Sequence, residues 1–541
     1  MLVALLLVGT VTGVWAQDEF DPRVEVGREL IAFLGCPGCH AGVDPSVPGP
    51  PSWGPDLRRI SSKTRRNWAL EWLMAPHERR RATLHPRFFT EADRSEARNI
   101  VAYLWEASLP VTYPKPPAGD GAGGETVFES VGCTGCHFRG PGAERGHRPD
   151  HRRHGPDLGD LDGKVTAGWL FAWLRNPRQY APGTRMPDLR LTADEAADLT
   201  AFLLEGRALE PGSAEPRPAG GGGDAEAGRA AISEYGCYGC HIIAGFEDAG
   251  KFAGSWDSVE GFTGHDTPGL PDFALSSDEA GAIRAAAAAA PDTDGGALIA
   301  GRRLVTRFNC RGCHLIEGAG RAIRATIDKE GLLPPDLNGE GSRVQPRWLA
   351  AYLHDPGSVR LRSWLSVRMP TFPFNDEQVR TVVAYFRTLE REEMLIAPDS
   401  PPTAKSIALG REAFDLMPCS GCHPTDPTIV IPAGLSARFG PPLFLARARL
   451  RYGWIESWIR EPQRWTPGTA MPSFFLESAP GFYRSPFVGA LDSPMLAEPK
   501  VRMLKQMSDE EELEAFLNDG EAVIKAIRDY VWSLEERNPA K

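Results

Sequence analysis

Short stretches of apolar residues at helical spacing recur along the whole chain of 541 residues. One set predicts short amphipathic helices at 24–33, 125–130, 225–235, 297–308 and 406–415. A second set predicts tryptophan-bearing helices at 67–74, 168–174, 347–353 and 453–459. A third set predicts amphipathic helices that end a repeated unit, for example at 193–204, 376–389 and 521–534. This self-similarity predicts a mainly α protein built from one helical unit used several times.

Composition and length place the boundaries between these units. Glycine (57) and proline (48) are abundant, which is typical of short helices joined by long loops. Five tandem domains are predicted, at 17–112, 113–212, 213–292, 293–396 and 397–541. The third is abbreviated, because no tryptophan-bearing helix precedes its closing helix. The fifth carries an insertion at 472–508.

The first sixteen residues are apolar and end in Ala16, before a polar Gln-Asp-Glu. This pattern predicts a secretory signal peptide at 1–16 and therefore an exported, periplasmic protein. An uncleaved anchor is the alternative, but the run is short for a membrane span of roughly 20 residues. The formal net charge of −11 argues against nucleic acid as a partner.

All ten cysteines fall into five Cys-x-x-Cys-His motifs. In chain order, motifs 1 to 5 are Cys36, Cys39 and His40; Cys133, Cys136 and His137; Cys237, Cys240 and His241; Cys310, Cys313 and His314; and Cys419, Cys422 and His423. Cys-x-x-Cys-His is the attachment site of c-type haem, in which the histidine ligates the iron. Zinc sites and thioredoxin-like pairs do not explain a histidine at the same offset five times. The sequence therefore predicts five covalently bound haem c groups.

Three domains carry a methionine followed by proline at a similar distance from the motif. Met186, Met369 and Met471 lie 49, 55 and 48 residues after the histidines of motifs 2, 4 and 5. We expect each methionine to be the sixth iron ligand, which raises the haem potential.

The first domain has His85 in the equivalent loop, 45 residues after His40. His85 is therefore the predicted sixth ligand of the first haem, giving a bis-histidine site. His77 and Met74 are the alternatives within the same domain.

The third domain has Leu270 at the equivalent place, and leucine cannot ligate iron. His265 is the candidate ligand within the domain. Otherwise the iron is five-coordinate, or a histidine crosses over from a neighbouring domain, namely His147, His151, His154 or His354. The first three of those lie in a basic loop, which reads either as solvated surface or as a separate metal site.

The order of helix, Cys-x-x-Cys-His, Gly/Pro-Pro-x-Leu, tryptophan helix, Met-Pro and closing helix resembles class I cytochrome c. The Gly/Pro-Pro-x-Leu elements begin at residues 54, 155, 334 and 440. The resemblance implies that the first and last helices of each domain cross and that the loop methionine caps the haem opposite the histidine. It also implies that a proline carbonyl holds each haem histidine, with the prolines being Pro55, Pro156, Pro335 and Pro441.

Together these features predict an exported pentahaem cytochrome that relays electrons between donor and acceptor redox proteins. A membrane respiratory or quinol-oxidising complex is the partner that analogy suggests, and membrane association would come through it or through an uncleaved N-terminal segment. Two alternatives stay open. One is a haem enzyme with an open iron in the third domain, and the other is a structural subunit of a conductive multihaem assembly.

Overall fold

The computed structural model describes residues 22–41, 43, 54–80, 83–139, 155–159, 161, 163–204, 222–249, 254–255, 261–265, 270–289, 296–359, 361–362, 364–397, 401–431 and 439–534. The predicted signal peptide at 1–16 and the histidines at 147, 151 and 154 lie outside these residues. Within them, no helix is both long enough and apolar enough to cross a membrane.

The described residues are mainly helical, as predicted. In the first half of the chain the helices are α1 (Pro22–Leu34), α2 (Ile60–Lys63), α3 (Arg66–Met74), α4 (Pro76–Arg79), α5 (Arg94–Glu106), α6 (Gly121–Val131), α7 (Ala167–Arg175), α8 (Pro177–Tyr180), α9 (Ala193–Leu203), α10 (Ala225–Glu234) and α11 (Ser277–Ala288). In the second half they are α12 (Gly296–Arg307), α13 (Glu340–Arg343), α14 (Pro346–His354), α15 (Asp376–Thr388), α16 (Ala404–Leu416), α17 (Ala446–Arg449), α18 (Tyr452–Arg460), α19 (Pro462–Trp465), α20 (Ala497–Leu504), α21 (Glu510–Asn518) and α22 (Gly520–Ser533).

The strands are few and short. They are β1 (His40–Ala41), β2 (Gly254–Ser255), β3 (Leu315–Ile316), β4 (Ala319–Gly320), β5 (Leu476–Ala479) and β6 (Phe482–Arg484). β1 pairs in parallel with β2, whereas β3–β4 and β5–β6 are antiparallel hairpins. The β5–β6 hairpin lies in the predicted insertion at 472–508.

The helix that precedes each motif crosses a closing helix at a glycine. In α6, a Cβ at Gly124 would lie 2.1 Å from the carbonyl oxygen of Asp198 in α9. In α16, a Cβ at Gly410 would lie 1.8 Å from the carbonyl oxygen of Ala526 in α22. The glycines with this role are Gly27, Gly124, Gly228, Gly301 and Gly410. Each lies nine residues before the first cysteine of its motif, so the crossing point is fixed relative to the motif.

The first and third domains exchange their first helices. α1 packs on α11, where a Cβ at Gly27 would lie 1.9 Å from the carbonyl oxygen of Ala282. α10 packs on α5, where a Cβ at Gly228 would lie 2.0 Å from the carbonyl oxygen of Asn99. The apolar cores follow the same exchange, since α1 and α11 share one cluster, and α5 and α10 share another. This differs from the contiguous domains predicted at 17–112 and 213–292.

The helix pairs define five structural units in the described residues, each named after its motif. Unit 1 comprises α1 and α11, and unit 3 comprises α10 with α2–α5. Unit 2 comprises α6–α9, unit 4 comprises α12–α15, and unit 5 comprises α16–α22. Each of units 2 to 5 contains a tryptophan-bearing helix, namely α7, α3, α14 and α18 respectively. Unit 1 has no such helix among its described residues.

Two kinds of contact join neighbouring units. In the first, which we call the motif contact, the backbones of two motifs touch through their glycines. A Cβ at Gly312 would lie 2.1 Å from the oxygen of Gly135, and a Cβ at Gly135 would lie 2.6 Å from Cys313 Sγ. A Cβ at Gly239 would lie 2.5 Å from the oxygen of Gly38. Motif contacts therefore join unit 2 to unit 4 and unit 1 to unit 3.

A two-way backbone bridge accompanies each motif contact. Asp188 and Thr371 exchange N–H···O bonds of 2.8 and 3.0 Å between units 2 and 4. Arg87 and Asp272 do the same between units 3 and 1, with bonds of 2.8 and 2.9 Å. Because Asp188, Thr371 and Arg87 each lie two residues after the predicted sixth ligand of the loop, the ligand loops of paired units lie side by side.

In the second kind of contact, which we call the tryptophan-helix contact, the bridge joins the residues just before two tryptophan-bearing helices. Thr64 bridges Val165 between units 3 and 2, and Val344 bridges Leu450 between units 4 and 5. Lys63 Nζ lies 4.4 Å from the ring centroid of Trp169 across the first of these contacts, a cation–π geometry. The two kinds of contact alternate in the order 1–3–2–4–5. Unit 1 also meets unit 4, through an ion pair between Glu25 in α1 and Arg303 in α12 at 3.0 Å.

The glycine crossing predicts a large difference between two substitutions in the same helix. Gly124→Ala forces a methyl group into the backbone of α9, and we expect unit 2 to lose about 1–3 kcal/mol of stability. Gly121→Ala is the matched control, because no described atom lies within 4 Å of its Cβ position. It should leave stability unchanged or raise it by up to about 1 kcal/mol.

Hydrogen exchange of peptides from α6 and α9, followed by mass spectrometry, isolates unit 2 from the rest of the chain. Equal amide protection in the two variants would show that the close approach of the helices does not stabilise the unit.

Candidate functional site

Each motif opens with the same local structure. Its first three residues form a 3-10 turn, as at Cys133–Gly135 and Cys310–Gly312. The backbone N–H of the motif histidine then donates to the carbonyl of the first cysteine, at 2.8 Å for His137 and 2.9 Å for His314. This turn brings both cysteines and the histidine of a motif to one side of the helix end.

A proline carbonyl holds the ring of four of the motif histidines. His137, His314 and His423 donate from Nδ1 to the carbonyls of Pro156, Pro335 and Pro441, each at 2.8 Å. His241 donates in the same way to Pro55, at 2.9 Å, although 186 residues separate the two. This bond fixes the tautomer and leaves Nε2 available for a metal.

The glycine before three of these prolines lies under the histidine ring. A Cβ at Gly155 or Gly440 would lie 2.4 or 2.3 Å from Cε1 of the ring in its own unit. A Cβ at Gly54 would lie 2.3 Å from Cε1 of His241. A side chain at these places would displace the imidazole.

Two pairs of histidine rings face each other. The ring centroids of His40 and His265 are 6.0 Å apart, with planes within 5° of parallel. Those of His85 and His241 are 6.1 Å apart, with planes at 40°. Two imidazoles that bind one metal ion at about 2 Å each place their centroids roughly 6 Å apart. Both pairs therefore match the spacing of a bis-histidine metal site.

Burial keeps the second histidine of one pair uncharged. It lowers the pKa of His85 to about 3, with a further contribution from the neighbouring His241, so the imidazole is neutral and able to bind a metal at neutral pH. Trp72 packs edge-on against His85, with centroids 5.7 Å apart. In the other pair, His265 donates from Nδ1 to the carbonyl of Pro271 at 3.1 Å, which directs Nε2 away from that carbonyl.

Two of the loop methionines lie against a tryptophan of the same unit. Trp173 Nε1 donates to Met186 Sδ at 2.9 Å in unit 2, and Trp458 Nε1 donates to Met471 Sδ at 2.8 Å in unit 5. Met369 lines one cavity together with His314 in unit 4. The sulfurs of Met186 and Met471 therefore lie against a side chain of their own unit, and Met369 lines the interior of unit 4.

A cavity of about 490 Å³ runs continuously through units 4 and 5. Its lining includes Met369, Met471 and the histidines of motifs 4 and 5. Arg343 and Arg449 also line it, and their Nε atoms are buried with no hydrogen-bond partner among the described atoms. Burial lowers the pKa of Arg449 to about 10, with a further contribution from Arg343. A largely apolar cavity with buried cations is suited to a flat apolar group that carries carboxylates.

Comparison with known proteins agrees with this geometry. The family model for cytochrome c matches residues 122–207 and 298–390. Cytochrome c of Chlamydomonas reinhardtii is 34% identical over 118 residues, which cover 98% of that protein and 18% of this chain. Cytochrome c of Cannabis sativa is 33% identical over 119 residues, covering 99% and 18%. No solved structure matches the chain significantly. The chain belongs to the cytochrome c family.

Membership of the cytochrome c family makes this a haem-based electron-transfer protein with covalently bound haem c. The residues present fit that group. Paired thiols lie beside a histidine whose ring is held by a proline carbonyl, and neutral histidine or methionine side chains are available as further ligands. The guanidinium groups of Arg449 and Arg343 suit haem propionates, although Arg343 also forms an ion pair with Glu340.

The structure changes the partners of two predicted ligands. His85 faces His241 of motif 3 rather than His40, and His265 faces His40 of motif 1 rather than His241. Pro55 likewise holds His241 rather than His40. The physical reason is the exchange of first helices, because α1 and α10 each take their motif to the other closing helix.

The alternative ligands are engaged elsewhere. His77 Nε2 donates to the carbonyl of Asp272 at 3.1 Å, and Met74 is buried in the core of unit 3. His354 Nε2 lies 3.4 Å from a carboxylate oxygen of Asp376. The histidine whose ring lies opposite the motif histidine of another predicted domain is His85, which the sequence analysis assigns to the first site.

Sequence reasoning also missed a weak signal of the exchange. In units 2, 4 and 5 the proline follows its histidine by 19, 21 and 18 residues. Pro55 follows His40 by only 15 residues. The interval between His40 and Pro55 is shorter than the corresponding interval in units 2, 4 and 5. It indicates that the Pro55 carbonyl does not accept a hydrogen bond from the His40 ring.

Exchanging a ligand in two cysteine backgrounds tests the histidine pairs. In a variant without motif 1 (Cys36→Ser with Cys39→Ser), His85→Met should still raise the lowest midpoint potential, on the order of 0.1 V, because methionine favours reduced iron. In a variant without motif 3 (Cys237→Ser with Cys240→Ser), the same change should have no effect. Redox titration followed by optical absorbance measures both.

His265→Met is the matched control. It should raise the lowest midpoint potential in the variant without motif 3 and have no effect in the variant without motif 1. If His85→Met acts only when motif 1 is intact, His85 belongs to the haem of motif 1 and the pairing stated here is wrong.

Proposed function

We propose that the chain is an exported pentahaem cytochrome c that conducts electrons along its units in the spatial order 1–3–2–4–5. The axial pairs in that order are His40 with His265, His241 with His85, His137 with Met186, His314 with Met369, and His423 with Met471. Haem c supplies a one-electron carrier at each site when it is bound. The chain itself contributes the ligands, the apolar surroundings and the spacing.

One observation carries the proposal: the spatial order sorts the ligand types. Along the sequence the partners of motifs 1 to 5 are histidine, methionine, histidine, methionine and methionine. In space the two histidine pairs lie at one end, in units 1 and 3, and the three methionines lie in units 2, 4 and 5. Methionine ligation raises the potential relative to a second histidine. The residues therefore favour electron entry at unit 1 and exit towards unit 5.

The contacts between units support conduction as the function. Each motif contact places two motifs in backbone contact, as at Gly135 and Gly312. The tryptophan-helix contact between units 4 and 5 contains a continuous cavity lined by both motif histidines. Neighbouring carriers are thus held close by backbone rather than by flexible side chains.

The haem-enzyme alternative receives no support from unit 3. The ring of His85 faces His241, so a potential ligand occupies the position where an open iron would need space for substrate. We infer a carrier rather than an enzyme.

Export remains part of the proposal because haem attachment to such motifs takes place outside the bacterial cytoplasm. The periplasm, with redox proteins as donor and acceptor, fits a protein with no nucleic-acid chemistry and a net charge of −11. We propose a membrane respiratory complex as one of these partners.

Intact-protein mass and electron paramagnetic resonance test the proposal together. The mass of the purified periplasmic protein should correspond to the chain from Gln17 onward plus five haems. The spectrum of the oxidised protein should be entirely low-spin, since every iron has two protein ligands. Redox titration should resolve two lower and three higher midpoints.

Fewer than five haems would contradict the pentahaem state. A high-spin signal near one haem in five, together with peroxide or nitrite turnover, would favour the enzyme instead.

A further inference from the structure

The alternating contacts leave one face without a partner among the described residues. Units 1 and 3, and units 2 and 4, are joined by motif contacts. Unit 5 is joined to unit 4 by the tryptophan-helix contact, so its own motif face makes no contact with another motif among the described residues. No described atom lies within 4 Å of the Cβ position of Gly421, the glycine of motif 5.

The bridging residue of that face is exposed as well. Thr371 and Asp188, which bridge units 4 and 2, lie two residues after Met369 and Met186. The residue two positions after Met471 is Ser473, and Pro472, Ser473, Gly421 and Cys422 are all exposed. Motif 5 therefore presents the same two elements that units 2 and 4 bury against each other.

We propose that this face binds the same face of a second copy of the chain, through a motif contact between the two units 5. The contact suits a two-fold axis, because within the chain it is already formed between two units of the same fold, with reciprocal glycines and reciprocal backbone bonds. The dimer joins two lines of haem sites into one. The inference rests on the backbone contacts and does not depend on the ligand assignments.

Charge favours a second copy over a different partner. The contact between units 2 and 4 is fixed by an ion pair between Arg368 and Glu195 at 2.5 Å. On unit 5 the residues of the two elements themselves (Ser420, Gly421, Ala470, Pro472 and Ser473) are uncharged. The Asp415 carboxylate lies beside the motif, where burial raises the pKa of Cys419 and the Asp415 charge contributes further. Transient redox partners are steered by complementary charge, whereas a contact made by uncharged residues can form between two copies without repulsion at the contact itself.

Unit 5 also carries exposed apolar surface close to this face in sequence. Leu476, three residues beyond Ser473, and Phe482 on the paired strand are 67% and 69% exposed. A motif contact alone is small for a stable dimer, which needs about 800 Å² on each partner. The β5–β6 hairpin supplies apolar area that solvent would otherwise cover.

Sedimentation of the holoprotein tests the dimer. We expect twice the mass of one chain, which is 59.0 kDa before haem attachment and processing. Gly421→Leu should weaken the dimer at least about tenfold, since the corresponding Cβ positions within the chain meet atoms at 2.1 to 2.6 Å. Gly121→Leu, at another glycine with no described atom within 4 Å of its Cβ position, is the matched control and should leave the dimer intact.

A charge-reversal pair separates self-association from other causes. Across a two-fold axis residue 473 faces its own copy, so Ser473→Glu and Ser473→Arg should each give monomers. Mixing the two variants should restore a dimer that contains one chain of each. Haem content and Soret absorbance of each variant are compared with those of the unaltered protein. Unchanged values show that a loss of the dimer is not caused by a loss of haem binding.

A holoprotein that stays monomeric at all soluble concentrations would overturn the proposal. So would a dimer that persists in both Gly421→Leu and Ser473→Glu, or a face that binds a different c-type cytochrome but not itself.

Discussion

The close crossing of two helices at a glycine is the constraint on which the rest of this structure depends. Because a carbonyl oxygen or a side-chain carbon of the closing helix lies about 2 Å from the missing Cβ, no other residue fits there without displacement. The glycine lies nine residues before each motif, so the crossing also fixes where the motif turn begins. The two cysteines and the histidine that hold one haem therefore have fixed positions relative to this helix crossing.

That constraint is local, and it does not specify which closing helix is used. α1 and α10 both offer a glycine at the same offset, and α5 and α11 both offer a backbone that accepts it. The exchange of partners between units 1 and 3 therefore changes the connectivity of the chain without changing the type of contact. Its cost is small, since chain-closure entropy rises only slowly with the length of the connection.

Local structure was predictable from the sequence, and pairing between distant segments was not. The motifs, the helices before them, the tryptophan-bearing helices and Met-Pro loops follow from periodicity and spacing, because each is decided by neighbouring residues. The partner of His85 depends instead on how two equivalent helices are shared. Only the short interval between His40 and Pro55 indicated the exchange. In units 2, 4 and 5 the motif histidine and its proline are separated by 18 to 21 residues, and the interval from His40 to Pro55 is shorter than these.

The two kinds of contact are distributed unevenly among the units. A tryptophan-helix contact needs the residues just before a tryptophan-bearing helix, and unit 1 has no such helix among its described residues. Unit 1 therefore forms a motif contact with unit 3 and meets unit 4 through side chains instead, by the ion pair of Glu25 with Arg303. Unit 5 has a motif glycine and a tryptophan-bearing helix, and among the described residues it forms a tryptophan-helix contact with unit 4 but no motif contact. The attachment chemistry of Cys-x-x-Cys-His does not require glycine before the second cysteine, yet all five motifs have it. Close approach of two backbones explains this glycine in motifs 1 to 4, and the same residue in motif 5 is consistent with a face built for the same contact.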